Sequence, residues 1–588
     1  MVRVLMDALD DPFRGIGFIS QAPSCVKLIG LLDKWGSEVA MRLEGFTRTT
    51  REDAERYGRL GCWLGITFGD MFDRGVDLYP DKEALVDERS RLTYAQLREK
   101  ADRLAIGFMN VGIKRHDRVL LQLPNWSEFV YSYFALQKIG AIVVLVLPRH
   151  RLLEINLLCR STGAVAWVLP ERYRNFNNLA MIDDVRHSNP LMKHIILVRG
   201  GKRGGFHNLE RLIEETKLRE DSLSELAARR PDPTEIAHLG PTGGTTGLPK
   251  LAARTHNDHI CNAEYKRRAW ELNRSETCVA MAPVTHDLTF TVAVCGAMLT
   301  SAKLVLVDSS RPEDFCESVQ RERATCAVTV PAVARRIVNL ERLKDYDLTS
   351  LLKLHVAGGP SPSDLIRGIH EKIGCNYVIG LGSTEGLNCM TRLDYDLNTI
   401  CNTSGRPCCP FSEYKTIDQD ERAVPPQMVG ELVIKGPDVF AGYFRSPEEN
   451  RKSFTQDGFF KTGDLAIIEN SGDIKIMGRI KDVILRGGEN IFPGEIERFI
   501  NNHPDIEAVA VIGMPDKELG ERVCAYIKPA AGSKLSFNGI VSFLKSGGAS
   551  VLQLPERIEF IDRIPLTKVG KVDKRALQQD LKRRLQSG

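Results

Sequence analysis

The chain has 588 residues, 43% hydrophobic and 27% charged, with a formal net charge of +4. That length is too great for one hydrophobic core and predicts several packed units. The ordinary composition and small net charge give no case for nucleic acid or an anionic membrane as the main partner. In chain order, residues 1–42 read as an extension with one short apolar stretch at 26–32. Asp7, Asp10 and Asp11 stand where a signal peptide would be basic and then apolar, so cytoplasm is the expected location. Thr93 reads as the cap of a helix, residues 118–124 as a strand ending in a turn, 126–139 as an amphipathic helix, and 141–147 as a strand. The apolar run 141–148 is far below the ~20 residues of a membrane helix. Further strands at 165–169, 195–198 and 304–307 continue a strand–helix alternation that points to doubly wound α/β sheets. Beyond about residue 405 short strands and turns dominate (430–436 and 472–478). A final region of about a hundred residues follows, with strands at 508–512 and 524–527 and helices at 537–545 and 574–585. The fourteen cysteines include no C-x-x-C pair and read as reduced core thiols.

The segment 241–250, PTGGTTGLPK, packs three glycines, three threonines and a lysine into ten residues. Glycines admit backbone N–H groups close to a bulky anion, and hydroxyls and an ammonium complete the cage. It is not the common nucleotide P-loop, because Leu248 and Pro249 separate Gly247 from Lys250. Four more motifs follow in order: GSTEG at 382–386, KTGD at 461–464, GRIKD at 478–482 and PLTKVGKVDK at 565–574. Each alone has a bland reading. GSTEG suits a helix cap, a lone Asp or Arg suits solvated surface, and a Gly-Lys turn suits an exposed loop.

Together these motifs resemble the acyl-adenylate-forming superfamily of acyl-CoA synthetases, nonribosomal peptide adenylation domains and luciferases. The resemblance is closer to the stand-alone aryl-acid ligases of the 2,3-dihydroxybenzoate–AMP ligase type. It includes EGFT at 44–47, GCWLG at 61–65, LPRHR at 147–151 and the double glycine of the loop. It implies an α/β fold: a large N-terminal domain (43–478) of doubly wound sheets plus a small distorted β-barrel, then a small mobile α+β C-terminal domain (479–588) hinged at Lys481. It also implies that Thr242, Gly243, Gly244, Thr245, Thr246, Gly247 and Lys250 wrap the β- and γ-phosphates of ATP. Glu385 would hold Mg²⁺ and Thr384 would lie beside the α-phosphate, next to Ser383 and Gly382. Asp464 would take both ribose hydroxyls, and Arg479 would make a second ribose or phosphate contact. Lys571 would be the catalytic lysine, with Lys568 and Lys574 as nearby controls. Gly487 and Gly488, in RGGEN at 486–490, would line a thiol tunnel; a plain β-turn is the alternative.

The acid pocket is implied at His286, Asp287, Leu288 and Val292 and at Gly358 and Gly359 of the AGGP turn. Here the chain departs from the resemblance. Asp287 replaces the asparagine that reads a phenol in catechol-acid enzymes, Leu288 replaces a tyrosine, and Val292 a small polar residue. Three roles stand open for Asp287: binding an amino or hydroxyl substituent, pairing with a nearby cation, or acting as a neutral donor through a raised pKa. Leu381 stands where an aromatic ring stacks on adenine. These changes imply an aromatic or alicyclic monocarboxylic acid with little hydroxylation, activated as acyl-AMP and passed to coenzyme A. Transfer to a carrier-protein phosphopantetheine is the second reading, and a non-catalytic nucleotide-binding protein the third.

Overall fold

The structure is a computed structural model and describes residues 50–201, 204–242, 250–487, 489–567 and 572–587. The expectations for the extension, for Gly243, Gly244, Thr245, Thr246 and Gly247, for Gly488, and for Lys568 and Lys571 lie outside the described residues.

Local bonds start the first helices. Thr67 and Asp70 form a capping box at the head of α1 (Phe68–Leu78). Thr93 and Gln96 form another at α2 (Tyr94–Asn110). Each box satisfies two orphan backbone donors with side chains three residues apart, which is why it is visible in sequence. β1 (Arg118–Leu121), α3 (Ser127–Lys138) and β2 (Ile142–Leu145) follow. β1 and β2 pair in parallel. Every residue of β2 is buried, as expected of a parallel strand covered on both faces.

α3 differs from expectation. All twelve of its residues are buried, so it is not amphipathic. It lies within the main core, which joins Val119 and Val143 of one sheet to Cys278, Ala280 and Leu304 of the other. Its polar groups find distant partners instead of water. Lys138 pairs with Asp102 and, at 2.6 Å, with Asp73. Gln137 Nε2 donates to the Ala237 carbonyl at 3.0 Å.

β3 (Ile236–Thr242) and β4 (Lys250–Thr255) form an antiparallel pair that begins a seven-stranded sheet, continuing through β2, β1, Ala166–Pro170, His194–Val198 and His207–Asn208. α4 (His256–Ala269) leaves β4 through a Thr255–Asp258 capping box. The nine-stranded sheet contains β5 (Lys353–Ala357), β6 (Asn376–Gly382) and β7 (Asn388–Met390). β5 and β6 are parallel, and β7 returns antiparallel to β6.

Where the small barrel is expected there is a four-stranded antiparallel sheet. It comprises Glu413–Ile417, β8 (Gly430–Lys435), β9 (Phe460–Ile468) and β10 (Ile474–Arg479), with α5 (Pro447–Ser453) inserted between β8 and β9.

The last region has β11 (Ile484–Arg486), β12 (Glu489–Ile491), α6 (Pro493–Asn501), β13 (Ile506–Asp516), β14 (Gly520–Pro529) and the terminal helix α7 (Lys574–Ser587). It has its own apolar clusters. One joins Ile484, Ile496, Val511 and Ile527; another joins Ile512 and Tyr526 to Leu577 and Leu581 of α7. Every described cysteine is a free thiol, and all but Cys401 are buried. Among the described residues no helix is long and apolar enough to cross a membrane.

Candidate active site

β3 and β4 place Thr242 directly opposite Lys250, so the two ends of the Gly-rich segment are held side by side. The Lys250 ammonium pairs with Glu449 in the first turn of α5 and lies 5.2 Å from the centre of the Tyr443 ring. Tyr443 donates its hydroxyl to Glu385 Oε1 at 2.8 Å. Burial first, and then the Glu385 carboxylate, push the Tyr443 phenol well above its ordinary value, so it remains a donor.

Glu385 sits in a hairpin turn. Gly382 faces Asn388 across β6 and β7, and Ser383, Thr384, Glu385, Gly386 and Leu387 make the connection. The helix-cap reading of GSTEG is therefore corrected. The turn is held from behind by Arg254, which is completely buried on β4. Its Nη1 donates to the Thr384 carbonyl at 2.8 Å and its Nη2 to the Asp438 carbonyl at 2.9 Å. Nε bonds Asp258 Oδ1 at 2.5 Å. Burial works against the Arg254 cation, but Asp258 and then Asp287 outweigh it and raise its pKa. A side chain at Gly240 would begin 2.3 Å from Thr384 Cγ2, so the strand entering the Gly-rich segment packs bare against Thr384. Leu381 is half-buried against Leu387, Cys389 and Leu432.

Asp464 on β9 and Arg479 on β10 are register partners, with Arg479 Nε 2.6 Å from Asp464 Oδ1. The charge of Arg479 reaches the Tyr443 phenol, which ties this pair electrostatically to the Glu385 turn. Lys481 is exposed in the 3-10 turn Ile480–Asp482 immediately after β10. Gly487, at φ 59°, turns β11 into β12. On either side of the Lys571 segment, Leu566 and Val572 form an antiparallel bridge. Lys574 is anchored elsewhere, 2.7 Å from Glu497 and 3.0 Å from the Val511 carbonyl.

His286 heads the short helical turn Asp287–Thr289, its Nδ1 accepting from Leu288 N at 3.3 Å. A π-helical turn, Phe290–Cys295, follows; such turns often occur at functional sites. Thr291 donates to Asp287 Oδ1 at 3.2 Å, and His259 Nε2 lies 2.9 Å from Thr291 Oγ1. The network fits an Nε2-protonated His259 bonding Thr291, which bonds Asp287. Burial, then the charge of Arg254, hold His259 far below its ordinary pKa, so it is not the cation opposite Asp287. Leu288 and Val292 are buried in the main core, at 8% and 1% exposure. Gly358 and Gly359 follow β5, Gly358 at φ 90°.

The family model for AMP-binding enzymes matches residues 72–444, and that for the AMP-binding enzyme C-terminal domain matches 495–571. The chain belongs to the AMP-binding enzyme family. This AMP-binding enzyme is 35% identical over 548 residues to the 2,3-dihydroxybenzoate-AMP ligase of Bacillus subtilis (strain 168), covering 93% of this chain and 99% of that protein. It is 33% identical to a salicylyl-CoA synthase / salicylate adenylyltransferase from a Streptomyces species, covering 92% of this chain and 98% of that one. Its fold matches the Mycobacterium smegmatis MbtA apo structure with a TM-score of 0.69 at 30% identity, over 91% of this chain and 98% of that chain.

Three residues of the AMP-binding enzyme that shape this site escape sequence reasoning. Arg254 and Tyr443 act through partners more than fifty residues away. Trp63, in the GCWLG segment, donates its indole N–H to the Pro437 carbonyl at 2.7 Å and so fixes the chain beside Asp438.

Proposed function

We propose that this enzyme activates an aromatic or alicyclic carboxylic acid with ATP, forming acyl-AMP and pyrophosphate, and then transfers the acyl group to the thiol of coenzyme A. One observation carries the reading. The Lys250 ammonium faces the Tyr443 ring, Tyr443 bonds Glu385, and Arg254 bonds the Thr384 carbonyl, so a flank of the Gly-rich segment and the Glu385 turn form one contact network, which the Asp464–Arg479 pair reaches through charge alone.

In this reading the 242–250 segment holds the β- and γ-phosphates, Thr384 lies beside the α-phosphate, and Asp464 accepts the ribose hydroxyls. The protein's main contribution is position and fixed charge as negative charge moves onto the leaving pyrophosphate. Among the described residues no group of three or more His, Cys, Asp or Glu side chains could hold a metal alone. A single carboxylate, Glu385, suits Mg²⁺, which keeps waters and binds phosphate oxygens. When bound, the ion would neutralise phosphate charge. The Tyr443 hydroxyl, bonded to Glu385 Oε1, would hold that carboxylate in place for the ion. Lys571 would bridge the acid's carboxylate and the α-phosphate oxygens. The segment 479–588 would turn about Lys481, exchanging Lys571 for the Gly487–Gly488 tunnel and admitting the thiol.

The dihydroxybenzoate and salicylate relatives support an aryl acid as substrate. They also favour a second reading, in which the acceptor is the phosphopantetheine of a carrier protein. Incubation with ATP, Mg²⁺, an aryl acid and free coenzyme A tests the choice. Acyl-CoA product supports the first reading. Pyrophosphate release without acyl-CoA supports the second.

A further inference from the structure

Lys266 has the most unusual environment of any charged side chain beside the site. It lies on α4, is 5% exposed, and among the described residues its ammonium has no carboxylate at ion-pair distance and no hydrogen-bond acceptor. The other buried lysines among the described residues are paired: Lys138 with Asp73 and Asp102, and Lys353 with Glu276 and two backbone carbonyls. The Lys266 ammonium is not among the fully buried atoms that lack a partner, so the stem is buried while the tip stays open to solvent, where an anion can reach it.

The direction of the side chain says where that anion binds. Lys266 Nζ lies 3.6 Å from the point where a side chain on Gly382 would begin, and Gly382 is itself exposed. The ammonium therefore lies beside the exposed start of the Glu385 turn. Its charge also reaches the Cys295 thiol, at the end of the π-helical turn, where it opposes the effect of Asp287. It reaches His355 of β5 as well; burial, then the Lys266 charge, lower that imidazole to about 3. Along α4, His259 and Lys266 are seven residues apart and share one face. His259 touches the Thr291–Asp287 end of the pocket, and Lys266 the Gly382 end.

Resting on the acid-activating function proposed above, we propose that Lys266 is a specificity-determining residue that binds a second carboxylate on the ring of the acid. The pocket then presents two opposite charges, Lys266 and Asp287. An acid bearing only its reacting carboxyl leaves the ammonium unpaired, so the substrate is not the simple monocarboxylic acid that Leu288 and Val292 imply.

The test compares wild type, Lys266→Met and Lys266→Arg in pyrophosphate release with benzoate, 2-hydroxybenzoate, 2-aminobenzoate and benzene-1,2-dicarboxylate. Wild type is expected to prefer the dicarboxylate; a preference for 2-hydroxybenzoate, whose phenol is neutral, would overturn the proposal. Lys266→Met should lower kcat/KM for the dicarboxylate roughly ten- to hundredfold, the worth of a hydrogen bond to a charged group, and leave benzoate within about twofold. Lys266→Arg should restore part of the loss. An equal loss on every acid would show that Lys266 serves the shared carboxyl or the phosphate, and overturns the proposal. No loss on any acid overturns it too. Thermal shift of wild type and Lys266→Met with the same acids, without ATP, reads binding alone. If wild type adenylates none of these acids, the function fails; the Lys266 proposal then stands only if the dicarboxylate still stabilises wild type and not Lys266→Met. Unliganded Lys266→Met should melt no lower than wild type, whereas a structural cation would be missed.

Discussion

Asp464 and Arg479 face each other across β9 and β10, bonded at 2.6 Å, and Arg479 is the last residue of its strand. The proposed hinge, Lys481, comes two residues later. The proposed ribose contact and the start of the proposed turning segment are thus one ion pair apart. Asp464→Asn should raise the KM for ATP by roughly ten- to hundredfold, since a charged acceptor of two hydroxyls is lost. Its melting temperature should change little, because Arg479 is half exposed and such pairs contribute little stability. Initial rates over an ATP series, with a parallel melt, check both statements.

Lys571 and Lys574 should separate chemistry from architecture. Lys571→Ala should cost about 10²–10³ in kcat for adenylation, comparable to losing one oxyanion donor. Lys568→Ala should stay within a few fold. Lys574→Ala should lower the melting temperature, since Lys574 ties the first turn of α7 to Glu497 and the Val511 carbonyl. Equal kinetic losses at Lys571 and Lys568 would contradict the assignment.

Tyr443→Phe removes the donor to Glu385 Oε1 and leaves the ring that faces Lys250. The lost bond to a charged acceptor is worth about 1.5–3 kcal/mol. A higher Mg²⁺ concentration should be needed for half-maximal pyrophosphate release. A Mg²⁺ titration identical to wild type would separate Tyr443 from the metal role proposed for Glu385.

Buried histidines set an acid limit. His238, His256, His259 and His355 are held below their ordinary value, first by burial, with His256 and His355 at about 3. The unfolded chain takes up these protons near 6.5, while the folded chain does not until about 3 for the latter two. In that window the unfolded state binds more protons. Stability is therefore full above about pH 6.5 and falls as pH drops toward 3, by up to about 1.4 kcal/mol per unit for each such histidine. Melting temperatures should fall steadily from pH 7 to pH 5; a flat profile contradicts the assignment.

How much of this was legible in the sequence depended on how local the cause was. Thr93 and Gln96 make their capping box within four residues, and β2 advertises its burial as an unbroken apolar run. α3 departs from the amphipathic expectation because the partners that let Lys138 and Gln137 be buried, Asp73, Asp102 and Ala237, lie far along the chain. The GSTEG segment carries the same composition whether it caps a helix or turns a hairpin; the pairing of Gly382 with Asn388 decides. Asp287 was visible as a departure, but its bond from Thr291 and its electrostatic link to Arg254 were not. Lys266 gave no signal, because a lysine on a helix is ordinary until the fold buries it.

Pyrophosphate release reports acid-dependent adenylation without needing the thiol acceptor to be known. With ATP and Mg²⁺, release should rise above background on adding benzoates carrying a second anionic group, and Lys571→Ala should abolish the increase. Release that no aromatic or alicyclic carboxylate stimulates would contradict the account.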